Sequence, residues 1–134
     1  MTEFCWPVRV YYEDTDAGGV VFYANYLCFY ERARTEMLRA LGFQQDQLRA
    51  SHGILFAVKS AQVDYLLPAR FNDELTVTAE ICNLRRASLE FTQRVIRTID
   101  QKPLSRATIK VVCLNEESFR PVPIPPEIVN KLCQ

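Results

Sequence analysis

The sequence predicts an α+β fold in which one long helix lies against an antiparallel sheet. Two observations predict it. A single segment, far longer than any other of its kind, carries the three-to-four-residue apolar period of a helix with one buried face. After it come four period-two segments joined by connections too short for crossover helices, which favours an antiparallel meander. The apolar helix face and the apolar sheet face have to bury each other, so the sheet is expected to lie against the helix.

Each element follows in chain order. Val8-Arg9-Val10-Tyr11-Tyr12 alternates and is β-rich, so a first strand is expected there. It runs into Glu13-Asp14-Thr15-Asp16-Ala17-Gly18-Gly19, a turn rich in Asp and Gly. The helix extends from Asn25 to Leu41, with Tyr26, Phe29, Tyr30, Ala33, Met37 and Leu41 on its apolar stripe. Asn25 is the expected N-cap and Gly42 the expected stop, for a length of roughly 25 Å. A long strand from Ile54 to Leu67 ends at Pro68. Leu75, Val77, Ala79 and Ile81 mark the next, then Leu89, Phe91 and Val95, then Ala107, Ile109, Val111 and Cys113. The tail from 121 to 134 opens with four prolines in six residues, reading as an extended connector before a short helical turn at Glu127 to Leu132.

At 134 residues the chain is the size of one domain, taken as 1–134 including the Pro-rich tail. Apolar residues at 49% supply a core without staples and argue against disorder. Sixteen Lys+Arg balance sixteen Asp+Glu, so no bulk charge draws the chain to nucleic acid or an anionic membrane. No apolar run approaches about 18 residues, and the N-terminus lacks the basic and apolar regions of a signal peptide; both point to the cytoplasm. Five scattered cysteines and a single histidine, His52, give no close set of metal ligands. Cys82 and Cys113, in strand-like segments, read as reduced thiols used as small apolar residues.

Chemistry concentrates at the acidic turn, where three readings compete. Asp and Gly are ordinary turn residues, so the loop could be purely structural. It could hold calcium, but the position where an EF-hand needs a bidentate Glu is Asn25. Or Asp16 faces the start of the long helix. Free N–H groups there favour negative charge and would stabilise a developing oxyanion, each such donor being worth about 3 kcal/mol. A carboxylate across the slot could attack an acyl carbon or activate water. The apolar stretch Val20-Val21-Phe22-Tyr23-Ala24 between them could line a substrate slot.

Resemblance bears on that choice. The run from Trp6 to Tyr26, containing Tyr12-Glu13-Asp14-Thr15-Asp16-Ala17-Gly18-Gly19-Val20-Val21-Phe22-Tyr23-Ala24-Asn25, and the continuation Phe29-Tyr30-Glu31-Arg32-Ala33-Arg34-Thr35-Glu36 resemble the Tol-Pal-associated acyl-CoA thioesterase (YbgC) family. Those proteins stand among the 4-hydroxybenzoyl-CoA thioesterase-like hotdog proteins. The likeness continues through Val63-Asp64-Tyr65-Leu66-Leu67-Pro68-Ala69-Arg70 and Ser88-Leu89-Glu90-Phe91. It implies a hotdog fold, a five-stranded antiparallel sheet wrapped around one long central helix. It implies hydrolysis of acyl-CoA thioesters without a metal or other cofactor, CoA being part of the substrate. Asp16 matches the catalytic aspartate, and the backbone N–H of Tyr23 matches the donor that polarises the thioester carbonyl. Gly19, Val20 and Phe22 are the neighbouring candidate substrate contacts. The family also implies a homodimer or homotetramer with sites at the subunit interface, and acyl carrier protein is a second possible substrate carrier. Many close relatives carry His after an aromatic where this chain has Phe22-Tyr23. A backbone donor survives that exchange; a role for an imidazole does not.

The remaining candidates are weaker. Arg85-Arg86-Ala87-Ser88 reads as a solvated turn, or as a cationic rim in which Arg86 meets CoA phosphates and Ser88 the pantetheine arm. Glu31, Arg32, Arg34, Thr35 and Glu36 are placed off the apolar stripe or at its edge, with Arg32 and Glu36 spaced as a surface pair and Glu31 a possible second carboxylate. His52 reads as an exposed loop residue, too far along the chain from the Asp16 loop to support dehydratase chemistry. A non-catalytic alternative is a thioester-binding or carrier-protein scaffold.

Overall fold

A computed structural model describes residues 3–133. Its elements are β1 (Phe4–Arg9), α1 (Asn25–Ala40), α2 (Gln45–His52), β2 (Ile54–Tyr65), β3 (Glu74–Leu84), β4 (Ser88–Arg97), β5 (Lys102–Asn115) and α3 (Pro126–Leu132). The five strands form one sheet in the order β1-β3-β4-β5-β2, and every neighbouring pair is antiparallel. The meander expected after the helix therefore covers β3, β4 and β5 only. β2 crosses to the far edge beside β5, and β1 closes the other edge against β3.

Alternation decides which face is buried. Leu75, Val77, Ala79 and Ile81 of β3, Leu89, Phe91 and Val95 of β4, and Ala107, Ile109, Val111 and Cys113 of β5 are all buried in one cluster. α1 lies across β1, β3 and β4 and contributes Tyr26, Phe29, Tyr30, Ala33 and Met37. Its C-terminus closes as expected: Gly42 sits at φ +97, and Phe43 N–H donates to Leu38 O at 2.9 Å. Ile128 and Leu132 of α3 seal the end of the core.

Several details differ from the sequence reading. β1 ends at Arg9, because Tyr12–Asp14 winds into a single 3-10 turn held by Tyr11 N–H donating to the Asp14 carboxylate at 2.8 Å. Asn25 is the first helical residue, not the cap; its amide donates 2.7 Å to the buried Asp14 carboxylate, which is the stronger acceptor on offer. His52 ends α2 instead of lying in a loop, and its Nε2 meets Glu127 of α3. Cys82 is exposed on the outer face, whereas Cys113 is buried as expected. Glu36 pairs with Arg39 one turn on, while Arg32 lies over the Phe29 ring.

The largest departure is polar. Arg34 is buried, its Nη1 donating to Gln93 Oε1 at 2.9 Å. Gln93, wholly buried on β4, donates onward to Tyr30 O and Thr78 O, each at 3.0 Å. The cluster bolts α1 to β3 and β4 through the core. Burial holds the Arg34 guanidinium below its ordinary pKa, and nearby Glu31 partly restores it.

Candidate active site

The acidic turn folds into a small hairpin. Thr15 bridges Val21, Asp16 N–H donates to Val20 O at 2.9 Å, and Gly19 N–H returns to Asp16 O at 3.0 Å. Gly19 takes φ +77, the left-handed conformation that a residue without Cβ adopts at least cost. Val20 then bridges Arg70, and Val21 N–H donates to Ala69 O at 2.8 Å, tying the hairpin to the chain that enters β3.

Two carboxylates in this turn have opposite surroundings. Asp14 is buried and accepts from Tyr11 N–H and Asn25 Nδ2, while its carbonyl accepts Phe22 N–H at 3.0 Å. It fastens the turn to the start of α1. Asp16 is exposed; one oxygen accepts Gly18 N–H at 2.8 Å, and no other contact of its carboxylate is present among the described residues. Asp16 is therefore held in direction by one bond and open to a ligand on its other side.

Past Val21 the chain enters α1. Phe22 O accepts Asn25 N–H at 2.8 Å, which turns the Tyr23 N–H of the same peptide the opposite way. No side chain caps this end of α1, and among the described residues no acceptor pairs with the Tyr23 N–H. Tyr23 is 64% exposed and Phe22 packs against its ring at 4.9 Å. The hairpin register sets Asp16 opposite Val20, three residues before Tyr23.

Beside Tyr23 lies a cleft of about 260 Å³ walled by Val21, Tyr23, Tyr26, Tyr65, Leu67 and Pro68. Asp16 does not line it. The Tyr65 hydroxyl donates to Tyr23 O at 2.8 Å, and the Tyr26 hydroxyl accepts Ala69 N–H at 3.2 Å. Burial raises the pKa of both phenols, so both remain protonated at neutral pH. A second cavity of similar volume opens farther along α1, between Arg34, Leu38, Phe56 and Phe91. Among the described residues no group of three His, Cys, Asp or Glu could hold a metal ion.

Asp16, Gly19, Val20, Phe22 and Tyr23 thus come together in one stretch. Arg86 and Ser88 do not join them within a single chain. β3 starts beside the Asp16 hairpin, where Phe71 N–H reaches Gly19 O, and runs 11 residues away before the Arg85–Ala87 turn. That is about 35 Å at the usual strand rise. The sequence reading gave Asp14, Tyr26 and Tyr65 no part in the catalytic site; spacing alone does not separate Asp14 from Asp16, and nothing local ties Tyr65 to a residue 42 positions earlier.

A long helix held against a five-stranded antiparallel sheet, with an acidic hairpin at the helix start, defines the hotdog class of thioesterase-like proteins. A profile of the thioesterase-like superfamily matches residues 10–132. The acyl-CoA thioester hydrolase YbgC of Escherichia coli O6:H1 is 47% identical over 133 residues, covering 99% of this chain and 98% of that protein. The acyl-CoA thioesterase YbgC of Haemophilus influenzae is 46% identical, covering 93% and 90%. Among solved structures, a probable thioesterase from Bartonella henselae superposes with a TM-score of 0.88 at 31% identity, covering 92% of this chain and all of that one. The Synechocystis 1,4-dihydroxy-2-naphthoyl-CoA thioesterase shares the fold, with a TM-score of 0.92 at 21% identity and coverage of 99% and 97%. The chain belongs to the YbgC acyl-CoA thioesterase family.

Proposed function

We propose that this chain hydrolyses acyl-CoA thioesters, with Asp16 as the reacting carboxylate and the Tyr23 backbone N–H as the oxyanion donor. The observation that carries the reading is an exposed Asp16 and, at the uncapped start of α1 in a YbgC-family chain, a Tyr23 N–H that has no acceptor among the described residues. The thioester carbonyl oxygen accepts the Tyr23 N–H, which stabilises the charge that develops on it. Asp16 either attacks the acyl carbon, giving a mixed anhydride that water then opens, or takes a proton from water as that water attacks. In both routes the carbon–sulfur bond breaks, CoA leaves as the thiol, and the acid product keeps one oxygen from water. No metal or cofactor enters either route. Gly19 and Val20 shape the hairpin edge and Phe22 the exposed apolar wall.

We read the chain as a single domain that works as a homodimer or a homotetramer of such pairs, in the cytoplasm. No helix among the described residues is long and apolar enough to cross a membrane. β2 is a sheet edge with Val58 and Tyr65 exposed on it, and Leu66 and Leu67 follow directly. Antiparallel pairing of two such edges sets the Tyr65 end of one chain beside the Ile54 end of the other. Ile54 lies at the end of the sheet that holds Arg86 and Ser88. Pairing thus offers the CoA phosphates a cationic turn that one chain by itself keeps distant from Asp16. Acyl carrier protein is an alternative thiol carrier for the same site.

Thiol release from a panel of aliphatic and aryl acyl-CoA and acyl-carrier thioesters tests the reading. Asp16→Asn is expected to fold normally, because its amide oxygen still accepts Gly18 N–H, and to lower kcat about a hundredfold or more. Turnover within threefold of the parent would remove Asp16 from the chemistry.

A further inference from the structure

We infer that Tyr65 is a positioning residue for this hydrolysis: its hydroxyl fixes the main chain that carries the Tyr23 N–H. The inference rests on the reading of Tyr23 as the oxyanion donor.

The Tyr23 carbonyl lies one residue ahead of the intrahelical ladder. α1 begins at Asn25, and Leu27 N–H folds back to Ala24 O at 3.1 Å. Among the described residues the acceptor at Tyr23 O is met by the Tyr65 hydroxyl, at 2.8 Å. The segment is therefore gripped from two sides. Upstream, Phe22 N–H is tied to Asp14 O at 3.0 Å and Phe22 O to Asn25 N–H at 2.8 Å. Downstream, among the described residues, the peptide after Tyr23 is tied only through Tyr65. Releasing that carbonyl frees rotation about the Tyr23 main-chain bonds and so loosens Asn25, whose N–H holds the Phe22–Tyr23 peptide that carries the donor.

Tyr65 is itself seated well enough to impose a direction. Its ring meets Tyr26 edge-on at 5.2 Å and Tyr23 edge-on at 6.3 Å. It closes β2, paired with Ser105 of β5. Tyr26, its other neighbour, is anchored through its own hydroxyl to Ala69 N–H. The phenol thus transfers the rigidity of the sheet edge to the uncapped helix start. Oxyanion donors act only when aimed at the oxygen before charge develops, and misplacement by about 1 Å can cost a hundredfold in rate.

The test is Tyr65→Phe in the full-length protein, which keeps the ring contacts and deletes one hydroxyl. Steady-state kinetics, thermal unfolding and the infrared carbonyl stretch of a bound, carbon-13-labelled ketone analogue of acyl-CoA are measured side by side with the parent and Asp16→Asn. The expected result is a fall in kcat of about tenfold or more with KM within twofold, and a carbonyl stretch shifted back toward its value in water. Asp16→Asn should lose kcat while leaving that stretch lowered. Unchanged kcat and unchanged stretch in Tyr65→Phe would overturn the inference. A slower enzyme whose bound carbonyl stretch matches the parent's would also overturn it, because the loss would then arise elsewhere. If the parent's own bound carbonyl shows no lowering, the reading of Tyr23 as donor fails first, and that outcome is distinct from both.

Discussion

Asp14→Ala removes one carboxylate that two donors share: Tyr11 N–H at 2.8 Å and Asn25 Nδ2 at 2.7 Å. Hydrogen bonds to a carboxylate contribute about 1.5–3 kcal/mol each, and the donors left behind are part-buried. The two bonds do not add in full, since one desolvated group serves both. A loss of about 3 kcal/mol is expected. With unfolding entropy near 2.1 cal/mol/K per residue, a chain of 134 residues has about 0.28 kcal/mol/K at its midpoint, so Tm should fall by about 10 °C. Asp14→Asn should behave differently. Its amide oxygen keeps the Tyr11 N–H, and its NH₂ can donate to the Asn25 side chain once that amide turns over. Only the charge assistance goes, for about 1 kcal/mol and a Tm lower by about 4 °C. Thermal and urea unfolding at neutral pH, followed by circular dichroism, measures all three proteins. Equal destabilisation by alanine and asparagine would refute the two-donor account, and so would an alanine variant within about 1 °C of the parent.

Two further perturbations probe the core. Gln93→Leu strands the buried Arg34 guanidinium and takes one donor from the Tyr30 and Thr78 carbonyls; urea unfolding should report a loss of about 3–5 kcal/mol, whereas a loss under 1 kcal/mol would mean the cluster is dispensable. Burial pushes the Cys113 thiol up to about 11 from its ordinary 9.0. A raised folded-state value favours the neutral form in the fold, so its contribution is complete below pH 9 and drains away as pH rises toward 11. Tyr30, also raised by burial, adds to the alkaline loss at higher pH. Stability measured from pH 8 to 11 should fall less steeply in Cys113→Ala than in the parent, whatever the two stabilities are at pH 8; parallel slopes would contradict this.

The expected elements were found where periodicity was strong. β3, β4 and β5 alternate cleanly because one face is buried, and α1 repeats at helical spacing for the same reason. Reading failed where a polar residue occupied a core position. Gln93 sits in the inward register of Leu89, Phe91 and Val95, yet pattern gives no reason for a polar side chain there. Its reason is Arg34, 59 residues away. The same logic explains Asn25, which cap statistics assign to its own helix and the buried Asp14 carboxylate claims instead.

Local sequence determined this protein's elements, the hairpin at Asp16 and the family to which it belongs, because turn chemistry and hydrophobic period are properties of neighbours along the chain. Tertiary structure decided the rest. It sent β2 to the outer edge, buried Asp14 while leaving Asp16 in solvent, brought Tyr65 to the Tyr23 carbonyl, and carried Arg86 to the far end of the sheet. Those outcomes turn on which distant groups share a desolvated space, and hydrogen-bond strength there depends on partners that spacing along the chain does not encode.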